Sequence, residues 1–185
     1  MSQPSAATPL TIRPSTDADL TAIQAIYGRA VREGTGTFET EVPAVEEMGR
    51  RRAEVLGRQL PWLVAERGGE ILGYAYANYF RPRLAYRFCV EDSIYLAPAA
   101  QGQGVGRLLL AELIARCEAA GARQMLAVIG DAANAGSIGV HTALGFQHTG
   151  VLKSAGWKFG RWLDVVLMQR ALGEGDATPP TNSPD

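Results

Sequence analysis

The chain has 185 residues, with 18 basic and 19 acidic side chains, a net charge of −1 and a hydrophobic share of 46%. That length and composition suit one globular domain able to build a core without disulfides or metal staples. The balanced charge excludes a general nucleic-acid binder or a polybasic membrane protein, while two cysteines and two histidines exclude a disulfide framework and a Cys- or His-rich metal cluster.

The first residues, MSQPSAATPL, have neither the basic start nor the apolar run of a secretory signal, and the best apolar run, 108–115, is broken by Glu112. The expected location is the cytoplasm, with no membrane partner. Residues 1–9 and 173–185 are small, polar and proline-containing and read as disordered ends, which leaves 10–172 as the single domain. Within it, residues 11–13 form an expected strand ended by Pro14. Thr16 then caps a helix whose first turn carries Asp17 and Asp19. Leu20, Ile23, Ile26, Tyr27, Ala30 and Val31 share one helical face, and Gly34 stops the run. A charged, weakly amphipathic helix is expected over 44–59. WLVAE and ILGYAYANYF flank Gly68-Gly69 and read as a β-hairpin. Residues 87–96 form the next strand, and a helix over 105–119 is expected to bury Leu108, Leu109, Leu113 and Cys117. MLAVIG reads as a buried strand, 134–144 as a short helix closed by Gly145, and 146–153 and 162–169 as the last two strands. Hairpins with interleaved helices give an α/β architecture around a mixed sheet.

The most informative stretch is Gln101-Gly102-Gln103-Gly104-Val105-Gly106-Arg107, between a strand and a helix. Glycines let backbone N–H groups approach a ligand, and the helix adds its unpaired first-turn N–H groups and dipole, so the loop suits a phosphate or pyrophosphate. A dinucleotide-binding G-x-G-x-x-G would need glycine where Arg107 stands, and no Gly-Lys-Ser/Thr follows for a P-loop. The same loop also suits a tight strand-to-helix turn that binds nothing.

Gln101 to Gly106 resembles the acyl-CoA pyrophosphate loop of the GNAT superfamily of N-acetyltransferases. The stretch from Asn134 through Ser137 and His141 to Leu144-Gly145-Phe146 is similar to that superfamily's Asn-containing helix. TGTFETE at 35–41, PWLVAE at 61–66, GYAYA at 73–77, Val90-Glu91, AVIG at 127–130, Ala155-Gly156 and GRWLD at 160–164 together resemble the phosphinothricin and methionine sulfoximine acetyltransferases. The resemblance implies a curved mixed sheet flanked by helices in a single domain. A central pair of strands splays to admit the CoA arm. It also implies acetyl-CoA as co-substrate, no metal, and a homodimer.

Amine acetylation needs a neutral amine, a positioned thioester, stabilisation of charge on the carbonyl oxygen and a proton for the leaving thiolate. Glu91 lies in a mostly apolar strand, where partial burial would raise its pKa. It is read either as a hydrogen-bonded edge carboxylate or as the base, and the resemblance favours the base. Asp92 points to the other face of a regular strand. The resemblance places the CoA arm along the backbone of Ile94, Tyr95 and Leu96 and against Asn134 and Ser137. Asn134 also suits a helix cap. His141 stands where many GNAT enzymes carry a tyrosine proposed to protonate the thiolate, although a lone histidine at helical spacing more often packs or caps.

For the acceptor, the resemblance points to Arg81, Pro82, Arg83 and Tyr86, with Glu91, Asp92 and Ser93 beside them. Phe38 is either a pocket wall or core. Guanidinium groups suit a carboxylate or phosphinate. The resemblance therefore implies a small amino-acid acceptor such as phosphinothricin or methionine sulfoximine. The alternatives are another small amine, or an acyl-CoA-binding module without turnover. Thr35-Gly36-Thr37-Phe38, Asn78-Tyr79-Phe80 and Arg87-Phe88-Cys89 depart from the family's usual residues and leave the acceptor open.

Overall fold

The computed structural model describes residues 8–180. In chain order the elements are β1 (Thr11–Pro14), α1 (Leu20–Glu33), α2 (Val45–Gly57), β2 (Trp62–Arg67), β3 (Glu70–Tyr79), β4 (Cys89–Leu96), α3 (Val105–Ala119), β5 (Gln124–Gly130), α4 (Ala135–Ala143), β6 (Gln147–Lys158) and β7 (Arg161–Ala171). The strands form one mixed sheet in the order β1-β2-β3-β4-β5-β7-β6. Every neighbouring pair is antiparallel except β4 and β5.

That exception positions everything that follows. β4 and β5 pair only from Cys89↔Gln124 to Asp92↔Ala127. Beyond Asp92, β4 still pairs with β3 through Ile94, Tyr95 and Leu96, but β5 has turned to β7 alone. The strands therefore part in mid-sheet. Side chains alternate across β4, so Glu91, Ser93 and Tyr95 share one face and Asp92, Ile94 and Leu96 the other. Tyr95 meets Tyr27 of α1 edge-on, with ring centroids 5.0 Å apart. On the opposite face, a Cβ added at Gly106 of α3 would lie 3.2 Å from Leu96. Such close helix-on-strand packing is what this glycine permits.

The periodicities translate into packing with a few differences. A 3-10 turn, Asp17–Asp19, precedes α1, with the Thr16 backbone N–H donating to the Asp19 carboxylate at 2.7 Å. The Gly68-Gly69 turn carries φ of 61° and 85°, which glycine adopts without Cβ strain. On α3, Leu109, Leu113 and Cys117 are buried as expected, and Leu110 and Ile114 join them, whereas Leu108 is 55% exposed. At about 100° per residue, Leu108 lies on the side opposite the centre of that face. β4 starts at Cys89 rather than 87, because Leu84–Tyr86 forms a 3-10 turn. β6 runs on to Lys158 past a register shift between Leu152 and Gly156, and there the Ser154 N–H donates to Asp164 at 2.9 Å.

Residues 173–178, assigned to the tail from composition, form turns held by Arg123, which donates to the carbonyls of Gly175 and Thr178 at 2.8 Å each. Residues 1–7 and 181–185 of the two expected disordered ends lie outside the described residues. Among the described residues, no group of three or more His, Cys, Asp or Glu is gathered to hold a metal, and no helix is long and apolar enough to cross a membrane.

Candidate active site

A cavity of about 810 Å3 opens where β4 and β5 part, and residues from both faces of the sheet reach it. Glu91, Ser93, Tyr95 and Tyr76 enter from one face, and Asp92, Ile94 and His141 from the other. The segment carrying Gly36, Thr37 and Phe38 forms a wall, and Gln101, Gly102, Gly106, Asn134 and Ser137 close the end nearest α3 and α4. Leu96 lines it as well.

Glu91 is half-buried on β4, held between Asn78 of β3 and Leu126 of β5. Burial pushes its carboxyl above the ordinary range; the nearby Asp92 charge pushes it further, and Arg81 pulls it back. A raised carboxyl facing a cavity is suited to taking a proton from an ammonium group.

Asp92 does point away from Glu91. Its Oδ2 lies 3.0 Å from Nε2 of His141, and both side chains are 98% buried. The His141 Nδ1–H donates to the Ser137 carbonyl at 2.7 Å, and the ring meets the edge of Phe146. Burial works against the imidazolium, but Asp92 and the carbonyl outweigh it and the His141 pKa is raised. Asn134 caps α4, its Oδ1 accepting from the Ser137 N–H at 3.2 Å, while also lining the cavity. The cap therefore does not take Asn134 away from the cavity.

The glycine loop divides its labour. Gly102 and Gly104 have φ of 72° and 78°, and nothing lies within 4 Å of an added Cβ at either. Gly104 is the N-cap of α3 and offers no side-chain hydrogen bond. The first-turn N–H groups at Val105, Gly106 and Arg107 thus face an open, glycine-lined approach beside the cavity, which fits a pyrophosphate. The Val105 side chain is buried in the core, so only its backbone can serve a ligand. Gln103 turns away: its amide donates to the Ala99 carbonyl and its oxygen accepts from Arg67. Arg107 is exposed and, like Gln103, Gly104 and Val105, lies outside the cavity lining.

Arg81, Pro82, Arg83 and Tyr86 do not line the cavity; all four are exposed in the β3–β4 connection. Arg81 stacks over Phe80 at 4.3 Å and reaches Glu91 only through its charge. Tyr76 and Thr37, not singled out from sequence, line the cavity instead. The signal for Tyr76 was available in the alternation of GYAYA opposite Trp62, with which it stacks at 4.2 Å.

Comparison with known proteins agrees with this geometry. The acetyltransferase (GNAT) family model matches residues 24–146. A phosphinothricin N-acetyltransferase of Alcaligenes faecalis is 58% identical over 170 residues, spanning 92% of this chain and 86% of its own. An L-methionine sulfoximine/L-methionine sulfone acetyltransferase of Salmonella typhimurium is 39% identical over 168 residues, spanning 89% and 96%. The crystal structure of a phosphinothricin acetyltransferase from Sinorhizobium meliloti in complex with acetyl-CoA superposes with a TM-score of 0.91 at 50% identity, covering 94% of each chain. A cavity at parted strands, a half-buried carboxylate within it and a glycine-lined helix start beside it thus coincide with matches over nearly the whole chain: it belongs to the GNAT family of acetyltransferases, among its phosphinothricin and methionine sulfoximine N-acetyltransferases.

Proposed function

We propose that this enzyme acetylates the α-amine of phosphinothricin, methionine sulfoximine or a related small amino acid. The observation that carries the reading is Glu91, a carboxylate of raised pKa facing the cavity where β4 and β5 part. Acetyl-CoA, when bound, supplies the acetyl group as a thioester. The N–H groups of the Gly102–Arg107 turn suit its pyrophosphate, and the β5-facing backbone of Ile94, Tyr95 and Leu96, free of a partner strand there, suits its pantetheine arm. Glu91 takes the proton of the acceptor ammonium, directly or through water. His141 is the candidate donor to the leaving thiolate, and because the Ser137 carbonyl and Asp92 already engage its two ring nitrogens, one of those bonds must open for the transfer. A thiol of pKa ~8.5 needs little help near neutral pH, so that contribution is modest.

The acceptor class is supported by the named activities of the relatives, and Phe38 and Tyr76 wall the same cavity that Glu91 faces. Arg81 and Arg83 act on the acceptor from outside the cavity lining in this reading. Assembly as a homodimer in the cytoplasm belongs to the same proposal, and exposed Trp157, Phe159 and Trp162 around the β6–β7 hairpin are the apolar surface that favours it. Sedimentation of the parent and of Trp162→Glu measures it, with a monomeric variant expected. A panel of phosphinothricin, methionine sulfoximine, their decarboxylated analogues and a polyamine, read as thiol released from acetyl-CoA, tests the acceptor. The amino acids should be turned over and the other amines should not.

A further inference from the structure

The wall of the cavity formed by Gly36, Thr37 and Phe38 is a loop without regular structure. It nevertheless follows one path, and a residue far away in the chain holds it there. Lys158, the last residue of β6, is only 4% exposed. Its Nζ donates to the Gly34 carbonyl at 2.8 Å and to the Thr37 carbonyl at 2.7 Å. The ring of Phe159 lies against the ammonium at 5.0 Å. No carboxylate forms an ion pair with Lys158 among the described residues; Glu39 acts on it only through its charge. Burying an ammonium is costly, and a single cation placed between two backbone carbonyls recovers that cost only while the loop keeps this path.

The loop then seats Phe38. A Cβ at Gly156 would lie 2.3 Å from the Phe38 ring, and one at Gly130 would lie 2.3 Å from the Thr35 carbonyl oxygen and 3.2 Å from the ring. Both glycines are therefore the floor on which loop and aromatic lie. On the other side, the Tyr27 hydroxyl bonds the Thr37 hydroxyl at 2.9 Å. Lys158 supplies the backbone clamp between these two supports.

We propose that Lys158 is a positioning residue for acceptor binding. It fixes the path of residues 34–37 so that Phe38 and Thr37 present one wall to the acceptor, and it touches neither substrate. The inference rests on the reading of this cavity as the acceptor site. Methionine at 158 keeps the length of the side chain but leaves two carbonyls without their donor. Loss of a charge-assisted clamp should raise the acceptor KM roughly ten- to a hundredfold. The KM for acetyl-CoA should stay within about twofold, since its cradle at Gly102–Arg107 lies on other elements.

The experiment measures both KM values and kcat in the parent, Lys158→Met, Phe38→Ala and the double variant, with phosphinothricin as acceptor. The effects on acceptor KM should not multiply in the double variant, because both substitutions undo the same wall. Should Lys158→Met fail to fold, Lys158→Arg carries the test, as it keeps the charge but displaces the carbonyls and should raise the acceptor KM by a smaller factor. An unchanged acceptor KM in a folded variant, an equal rise in both KM values, or multiplying effects would each overturn the role of Lys158 while leaving the acceptor reading intact. A parent that releases no thiol with any amino acid would instead overturn the acceptor reading, and the role of Lys158 with it.

Discussion

At the scale of single residues, the Glu91 carboxyl is set by three neighbours of different kinds. Burial and Asp92 raise its pKa, and Arg81 lowers it. Glu91→Gln keeps the shape and removes proton acceptance, so kcat should fall on the order of 10²–10⁴-fold while acetyl-CoA binding persists in a calorimetric titration. The sign for Arg81 follows from its charge. Removing a cation destabilises the carboxylate, so in Arg81→Ala the Glu91 pKa should rise further and the acidic limb of the kcat/KM profile should move to higher pH. Asp19 offers a second titration, unrelated to catalysis. Its carboxylate accepts from both Arg13 Nη atoms at 2.8 Å, and the Arg13 bonds lower its pKa from an ordinary 3.8 to about 2. Because the folded value is depressed, the stabilisation is fully present above about pH 4 and is lost as pH falls towards 2. It amounts to roughly 2 kcal/mol. In Asp19→Asn, the urea midpoint should fall at pH 7, and the loss relative to the parent should shrink at pH 2–3.

At the scale of elements, the start of α3 shows how the glycines of one short sequence do different jobs. Gly102 and Gly104 adopt left-handed φ values facing open space, and Gly106 lets the helix lie against Leu96. Gly104→Asp adds a Cβ at φ 78° and a negative charge at the positive end of the helix. Acetyl-CoA affinity should fall by at least tenfold, roughly the worth of one charge-assisted contact. The far-ultraviolet dichroism should stay near that of the parent, since the helix interior is untouched. Intact affinity in a folded variant would remove the loop from the cofactor site. Periodicity placed α3 and the β2–β3 hairpin correctly, because a helix face and a Gly-Gly turn are local features. It misplaced Leu108, whose neighbours Leu109 and Leu110 are equally apolar, so only the packed partner distinguishes the buried from the exposed leucine.

At the scale of the whole molecule, local pattern and long-range placement separate clearly. Local sequence determined the order of strands and helices, the glycine conformations before α3, the cap at Asn134 and the presence of a carboxylate on an apolar strand. Each depends on residues within a few positions of one another. Only the tertiary structure decided that β4 and β5 part after Asp92, which turns Glu91 from a strand residue into a cavity residue. It also joined Asp92 to His141 across 49 residues and tied Lys158 to carbonyls 121 and 124 residues earlier. It left the Arg81–Tyr86 segment outside the cavity, although the family resemblance pointed to it for the acceptor. The physical reason is the same in each case. A side chain's periodicity reports which way it points from its own element, whereas its partner is set by how distant elements pack around a common core, and no spacing within the chain encodes that meeting.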